Sequence, residues 1–521
     1  MDSESIQESD PRIDLLLEER QQLTDELVRE PYDFILYLKR RVCYANLAYP
    51  DLAAGDAYSA LMLTDEASDV SLEYHEQVIE ALHKYSSDKL PKVFEHRLLL
   101  DMAKDVAHGP ALLAHLGAVR SYQILAMGLL LCGSLQSAYK FCERGLKAAP
   151  TNSELRNIQG YIETIGKRRV RRNVTCLHDL PDWGMVRREV YPWNHHEPDR
   201  FSEDSIGFLN ERLSTMAPKC AVQVATLPVL LENARNTDGY EIIPTYKKLG
   251  LFAIEDIAAG ETAQELYHPA VCEKDVDSIA KDTDAKGADE ALHLLLLARV
   301  LALAAHQEIH PLEVSQIKCI WGDFVPTKCN EVDLSPNAGP PPDWTLPFSF
   351  TFNIEAPLRI LEKMGIDMYS TLVGHDLWVF NTLYSKTRGT TSARKNPHDG
   401  RPGVAAVHPF WCLANHDCDP NVTWECAGRM VLAAREKRVV GDRPGRIKRG
   451  EDTLNHYCDV TPPVHNRREL VSRSLAGWYM CARCRTESAN AIPNGCRFSL
   501  NYTHRSPSSE VLCERCSDAG S

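Results

Sequence analysis

Three short polar segments, in one fixed order, constrain this chain more than any other feature. Asn415-His416-Asp-Cys418-Asp-Pro420-Asn421 comes first, then Gly450-Glu451-Asp452-Thr-Leu-Asn-His-Tyr457, then Cys481-Ala-Arg-Cys484. An Asn-His pair beside a tight Pro-Asn turn presents side-chain and backbone polar groups to a ligand. Tyr457 ends a β-prone run, where its phenol can enter a pocket. Cys481 and Cys484 have the bite for tetrahedral zinc, and a fold that returns to Cys418 supplies a third ligand. Nine of the seventeen cysteines fall between Cys412 and Cys516. Such a cluster, with CxxC pairs in it, points to metal. The eight scattered before it read as small buried apolar residues.

At roughly 150 residues per domain, 521 residues suggest about three domains. Hydrophobic residues at 44% and charged residues at 25% are ordinary globular values and exclude a disordered or fibrous chain. The net charge of −14 argues against a broad nucleic-acid surface, so no direct nucleic-acid partner is expected. The acidic opening MDSESIQESDPRID has no apolar run, so a secreted protein is not expected, and a nuclear or cytoplasmic location is. The most apolar stretch, Ala291 to His306, is too short to span a bilayer and carries Arg299, so no membrane partner is expected.

The fold class expected is multidomain α+β. Residues 1–166 read as a helical, tetratricopeptide-like region. Tyr37, Tyr44 and Leu47 would lie on one helix, and Ala53, Ala57 and Ala60 on the close-packed face of its partner. A second copy places Tyr122, Leu125, Leu129, Gly133, Ala138 and Pro150 in frame. A plain helical domain with alanine-rich packing fits the same residues. Such a region binds a protein partner or braces the chain. A connector, 167–219, opens with the basic run through Arg172, which suits a nuclear localisation signal, a phosphate patch or a solvated helix end. Residues 220–475 read as a β-rich domain with strands at Ala221–Val229, Tyr240–Thr245 and Leu251–Ile254. A helical insertion spans about 290–384. Within it, His306 and His310 resemble a zinc-protease motif only by coincidence, because the glutamate is displaced and Pro311 follows. Residues 476–521 form a Cys-rich tail.

The three motifs together resemble those of the SET-domain methyltransferases, closest to the SMYD-like branch and to fungal proteins that join a tetratricopeptide region to a SET domain. The family's NHxCxPN motif corresponds to Asn415–Asn421, and its GEExxxxY motif to Gly450–Tyr457. The opening motif corresponds to the run from Lys248 through Gly250 and Asp256 to Gly260-Glu261. The resemblance implies S-adenosylmethionine as methyl donor and a lysine ε-amine of a histone or other protein as acceptor. It implies that Gly250, Leu251 and Phe252 line the cofactor, that Asn415 and His416 contact it, and that Tyr457 is the catalytic residue where the methyl crosses. It also implies a pseudoknot that brings Asn415 and Tyr457 together. Trp411 and Trp424 flank the first motif and can wall an aromatic channel.

The chain departs from the family at four places. Lys248 replaces the first glycine of the opening pair. Tyr479 stands where a post-SET cysteine belongs, so Cys418, Cys481 and Cys484 need a fourth zinc ligand, from Cys496, Cys513 or Cys516. Alternatively, Cys481 and Cys484 with Cys513 and Cys516 make a self-contained site that leaves Cys418 free. An added RVVGDRPGR segment at 438–446 reads as a basic hairpin or loop. A MYND finger is absent. A catalytically silent SET scaffold, or methylation of a small-molecule amine, therefore stands beside the protein methyltransferase.

Overall fold

A computed structural model describes residues 11–85, 91–94, 109–170, 180–187, 190–228, 245–267, 271–272, 288–321, 346–388, 390–395, 402–426, 429–441, 443–468 and 481–490. It is mixed α and β, and divides into two compact units. The first comprises Met1–Glu197, Glu273–Lys318 and Phe324–Arg388, and the second Pro198–Cys272, Cys319–Asp323 and Gly389–Ser521.

The first unit contains the helical N-terminal region. Asp33 caps the helix Phe34–Asn46 by accepting the Ile35 N–H. Proline opens the next helix, Pro50–Ser68, at a position where no N–H is needed. Ala53, Ala57 and Ala60 are all buried, as expected for the close-packed face. The helix Pro110–Cys132 is apolar around most of its circumference, which fits a helix enclosed by others. By length and composition it would also cross a membrane, but 72% of its apolar window is buried inside the protein. It stops at Gly133, whose φ of 87° is the left-handed conformation that glycine adopts without a Cβ clash. The helix Leu135–Ala148 then begins, with Ala138 buried.

Two boundaries differ from the sequence expectation. The helix Ser153–Val170 runs through residue 166, so the start of the basic run is helical, while Arg171 and Arg172 lie outside the described residues. The helices expected as an insertion in the second domain instead group with the N-terminal helices. Arg40 accounts for much of this. It is fully buried and ion-pairs with Asp56 at 2.5 Å and with Asp376 at 2.9 Å, just ahead of the helix Leu377–Arg388. A buried guanidinium needs both carboxylates, so it fixes that helix to its own unit. His306 and His310 do not share a helix, because Ala288–Gln307 ends first. His310 stacks on His196 with ring centroids 3.8 Å apart.

The second unit holds short antiparallel strands. Cys220–Pro228 pairs with Thr245–Ala253, and Arg429–Ala434 lies between Thr262–Tyr267 and Val422–Cys426. A further sheet joins Val271–Cys272, Pro402–Val407 and Thr391–Lys395. Met430, Leu432 and Ala434 alternate along the middle strand and are buried with Val222, Leu251 and Val422. The helix Glu203–Ser214, capped by Ser202, docks on this core. The Asn210 side chain accepts from the Val222 N–H and donates to its carbonyl. Tyr240–Pro244 of one expected strand lie outside the described residues.

Candidate functional site

Gly450–Tyr457 is threaded between two other parts of the second unit. On one side it pairs with Thr245–Ala253: Gly450 donates to Ala253 O, Ala253 to Glu451 O, and Thr453 to Leu251 O. On the other it meets Ala414–Asn421: Asn455 donates to Asn415 O, and Asp417 to Asn455 O. The Asn421 side chain completes the clamp. Its Oδ1 accepts from Leu454 N at 2.6 Å, and its Nδ2 donates to Asp452 O at 2.8 Å. The two asparagines thus have different work: the Asn421 side chain holds the segment, whereas the Asn415 side chain reaches Leu249 O and the Asp452 carboxylate.

Gly250, Asn415 and Tyr457 converge there. Asn415 is 1% exposed, and its Nδ2 donates to Leu249 O at 3.3 Å. A Cβ on Gly250 would sit 2.9 Å from Asn415 Nδ2 and 2.9 Å from the Phe252 ring, so only glycine lets these groups approach. Leu251 is fully buried beneath them. Lys248 is two residues before Gly250, hence on the same strand face, and is half-buried. Asn415 Oδ1 and Asp452 Oδ1 are buried without a hydrogen-bond partner among the described residues.

The Tyr457 hydroxyl donates to Ala414 O at 2.9 Å, with Cys412 O at 3.4 Å. Its ring stacks on Trp411 at 5.8 Å, and Trp411 meets Trp424 edge-on at 5.6 Å. Both tryptophans flanking the first motif therefore stand at the tyrosine or beside it. The phenol oxygen thus lies beside two carbonyl oxygens. A cluster of acceptors of this kind suits an amine N–H or a cation.

Burial raises the Asp452 carboxyl to a pKa of about 7, with the Asp417 charge adding to it and the Asn415 amide opposing it. Raised in the folded state, this group favours folding below its ordinary carboxylate range and loses that advantage as pH rises through 7. Asp452→Asn is therefore expected to raise the urea midpoint at pH 8 and to lose that advantage toward pH 4. The limit of the effect is on the order of 4 kcal/mol. A midpoint difference independent of pH would contradict the burial account.

A second group lies directly behind Tyr457. His416, Cys418 and Cys481 are buried, with donor atoms within 4.8 Å of one another, and could hold a metal ion. Cys418 Sγ lies 3.4 Å from Cys484 Sγ and 3.3 Å from His416 Nε2. The Cys418 and Cys484 backbone N–H groups both point to Cys481 Sγ, at 3.5 Å and 3.4 Å. Cys458, a residue absent from the expected ligand sets, is the largest influence raising the Cys418 thiol. Its signal was simply a cysteine placed immediately after Tyr457 in the Cys-rich segment. Cys513, Cys516 and Cys496 lie outside the described residues, as does Tyr479. Arg483 donates to Cys418 O and Val460 O, and Arg467, 1% exposed, reaches Cys484 Sγ at 3.8 Å. Hydrogen bonds among the thiols, with burial, hold Cys418 and Cys484 above the ordinary thiol range, and Arg467 opposes this at Cys484.

The segment 438–446 forms a hairpin, in which Arg438 N–H donates to Arg443 O. It folds back onto the 419 turn: Arg438 donates to Asp419 O, and Arg443 pairs with the Asp419 carboxylate at 2.8 Å. Its charges serve that turn and do not displace the Gly450–Tyr457 segment. No protein-family model matches the chain, and no curated protein matches it in sequence.

Proposed function

We propose that the second unit is a SET-type, S-adenosylmethionine-dependent methyltransferase acting on a lysine ε-amine of a histone or other protein, with a structural zinc behind the site. The observation that carries this reading is the convergence of Gly250, Asn415 and Tyr457 on the threaded segment Gly450–Tyr457. The pseudoknot that the family resemblance implies requires such threading. The helical first unit would supply a surface for a protein partner.

The residues fit the cofactor on two counts. Asn415 Oδ1 and Asp452 Oδ1 are buried acceptors without partners among the described residues, suited to an ammonium group. Gly250 brings the strand backbone against Asn415, an approach that a Cβ would block. When bound, S-adenosylmethionine supplies an electrophilic methyl group on a sulfonium centre. The chain's own contribution is positioning and desolvation. A lysine ammonium has a pKa near ~10.4 in water, and an apolar aromatic channel favours its neutral, nucleophilic form. Trp411 and Tyr457 would form such a wall, and the phenol oxygen with Ala414 O would orient the amine.

The buried cysteine group fits zinc. At about 2.3 Å per Zn–S bond, tetrahedral ligands lie roughly 3.8 Å apart, close to the 3.4 Å between Cys418 and Cys484. Calorimetric titration of the folded protein with S-adenosylmethionine tests the cofactor reading. The wild type is expected to saturate and Gly250→Ala to bind at least about tenfold more weakly, the methyl intruding on Asn415. Equal affinity in the two proteins would place the cofactor elsewhere.

A further inference from the structure

The cysteine group admits two different ligand sets, and hydrogen-bond directions at His416 separate them. His416 Nδ1 accepts the backbone N–H of Tyr457 at 3.0 Å. An amide N–H can only donate, so Nδ1 carries a lone pair and the proton of the neutral ring sits on Nε2. Nε2 faces Cys418 Sγ at 3.3 Å. A protonated ring nitrogen cannot ligate a metal, but it donates well to a metal-bound thiolate. His416 is thereby removed from the ligand shell, although its ring is near enough to enter it.

The vacated position has a candidate. Cys458 directly follows Tyr457, whose N–H is held by His416 Nδ1 while His416 Nε2 faces Cys418 Sγ, so the chain delivers the Cys458 thiol to the edge of the sulfur group. Cys418 is the largest electrostatic influence on it. It is partly exposed, whereas Cys418, Cys481 and Cys484 are buried, so it would close the outer side of the group. We propose that Cys458 is the fourth zinc ligand, joining Cys418, Cys481 and Cys484, with His416 as an N–H donor to the Cys418 sulfur. This rests on reading the group as a zinc site. It makes Cys496, Cys513 and Cys516 unnecessary to the centre.

The assignment has a consequence for the neighbouring tyrosine. Cys458 directly follows Tyr457, and the Tyr457 N–H is held by the same imidazole that touches Cys418. Metal binding then fixes the Tyr457 backbone from two sides: through the peptide bond to Cys458, and through His416. The metal positions the residue that faces the amine without touching the reaction.

Cobalt substitution of the full chain reads the ligand set directly, because thiolate-to-cobalt charge-transfer absorption scales with the number of sulfurs bound. Cys458→Ser is expected to lower that absorption by about one quarter, one sulfur of four. His416→Gln should leave the intensity at the wild-type value while weakening metal retention against a chelator about 10–100-fold. The double variant Cys513→Ser/Cys516→Ser should match the wild type. A loss of intensity in either of the last two proteins, with none in Cys458→Ser, would overturn the assignment. Differential alkylation of the wild type gives a readout free of any folding defect. In the zinc-loaded protein Cys458 should be shielded from iodoacetamide and should react once a chelator is added. Equal reaction in both conditions overturns the assignment. Failure of the wild type to take up cobalt or zinc at all would overturn it together with the zinc reading. S-adenosylmethionine binding would then still be measurable on its own.

Discussion

Tyr457→Phe is expected to lower methyl transfer to core histones by about 10²–10³-fold while leaving the affinity for S-adenosylmethionine within about twofold. The substitution removes one oxygen and preserves the ring. The stack on Trp411 at 5.8 Å therefore survives, and so does the backbone bond to His416. What disappears is the hydroxyl at 2.9 Å from Ala414 O, and with it the acceptor that would orient the amine. Were Tyr457 only a core aromatic, the same change would cost about 1 kcal/mol of stability for one hydrogen bond and leave transfer intact. Initial rates with methyl-labelled cofactor, beside a cofactor titration, separate the two. Full activity in the variant would contradict the role given to Tyr457.

Cys418→Ser should have the largest effect on stability. Cys418 is fully buried at the centre of the sulfur group, with its N–H on Cys481 and its carbonyl on Arg483. Structural zinc contributes roughly 10–16 kcal/mol to folding in small peptides. Losing one central ligand should forfeit several kcal/mol of this and lower the melting temperature by about 10 °C or more. Chelation should destabilise the wild type by a similar amount and leave the variant nearly unmoved. Elemental analysis should find zinc in the wild type and little in the variant. A wild-type melting temperature indifferent to the chelator would contradict a structural metal.

The elements that could be read from sequence were those encoded locally. The alanines at 53, 57 and 60 marked a packed helix face, and Gly133 marked a helix end. The family resemblance implied that Asn415 and Tyr457 would meet, and the two are linked through Asn455 and the His416 side chain. What could not be read depended on partners distant in the chain. In sequence Arg40 is one charge among many until Asp376 pairs with it, and that pairing ties the later helices to the first unit. Arg438 and Arg443 read as charges of a basic loop until Asp419 pairs with them. Cys458 lacked a partner at CxxC spacing, and only the return of Ala414–Asn421 alongside Gly450–Tyr457 places Cys418 against it. Tyr457 itself was visible because it closes a motif; the sulfur behind it was visible only in three dimensions.

Gly250, Asn415 and Tyr457 form the proposed S-adenosylmethionine site. Its most direct test is calorimetric titration of the zinc-loaded protein with that cofactor, beside Asn415→Ala, with circular dichroism to establish that both are folded. The alanine removes Oδ1, the buried acceptor without a partner among the described residues, and leaves the backbone bond to Asn455 in place. Saturable binding at about one cofactor per chain, lost in Asn415→Ala, is the predicted result. No binding to the folded wild type, or undiminished binding to the variant, would contradict it.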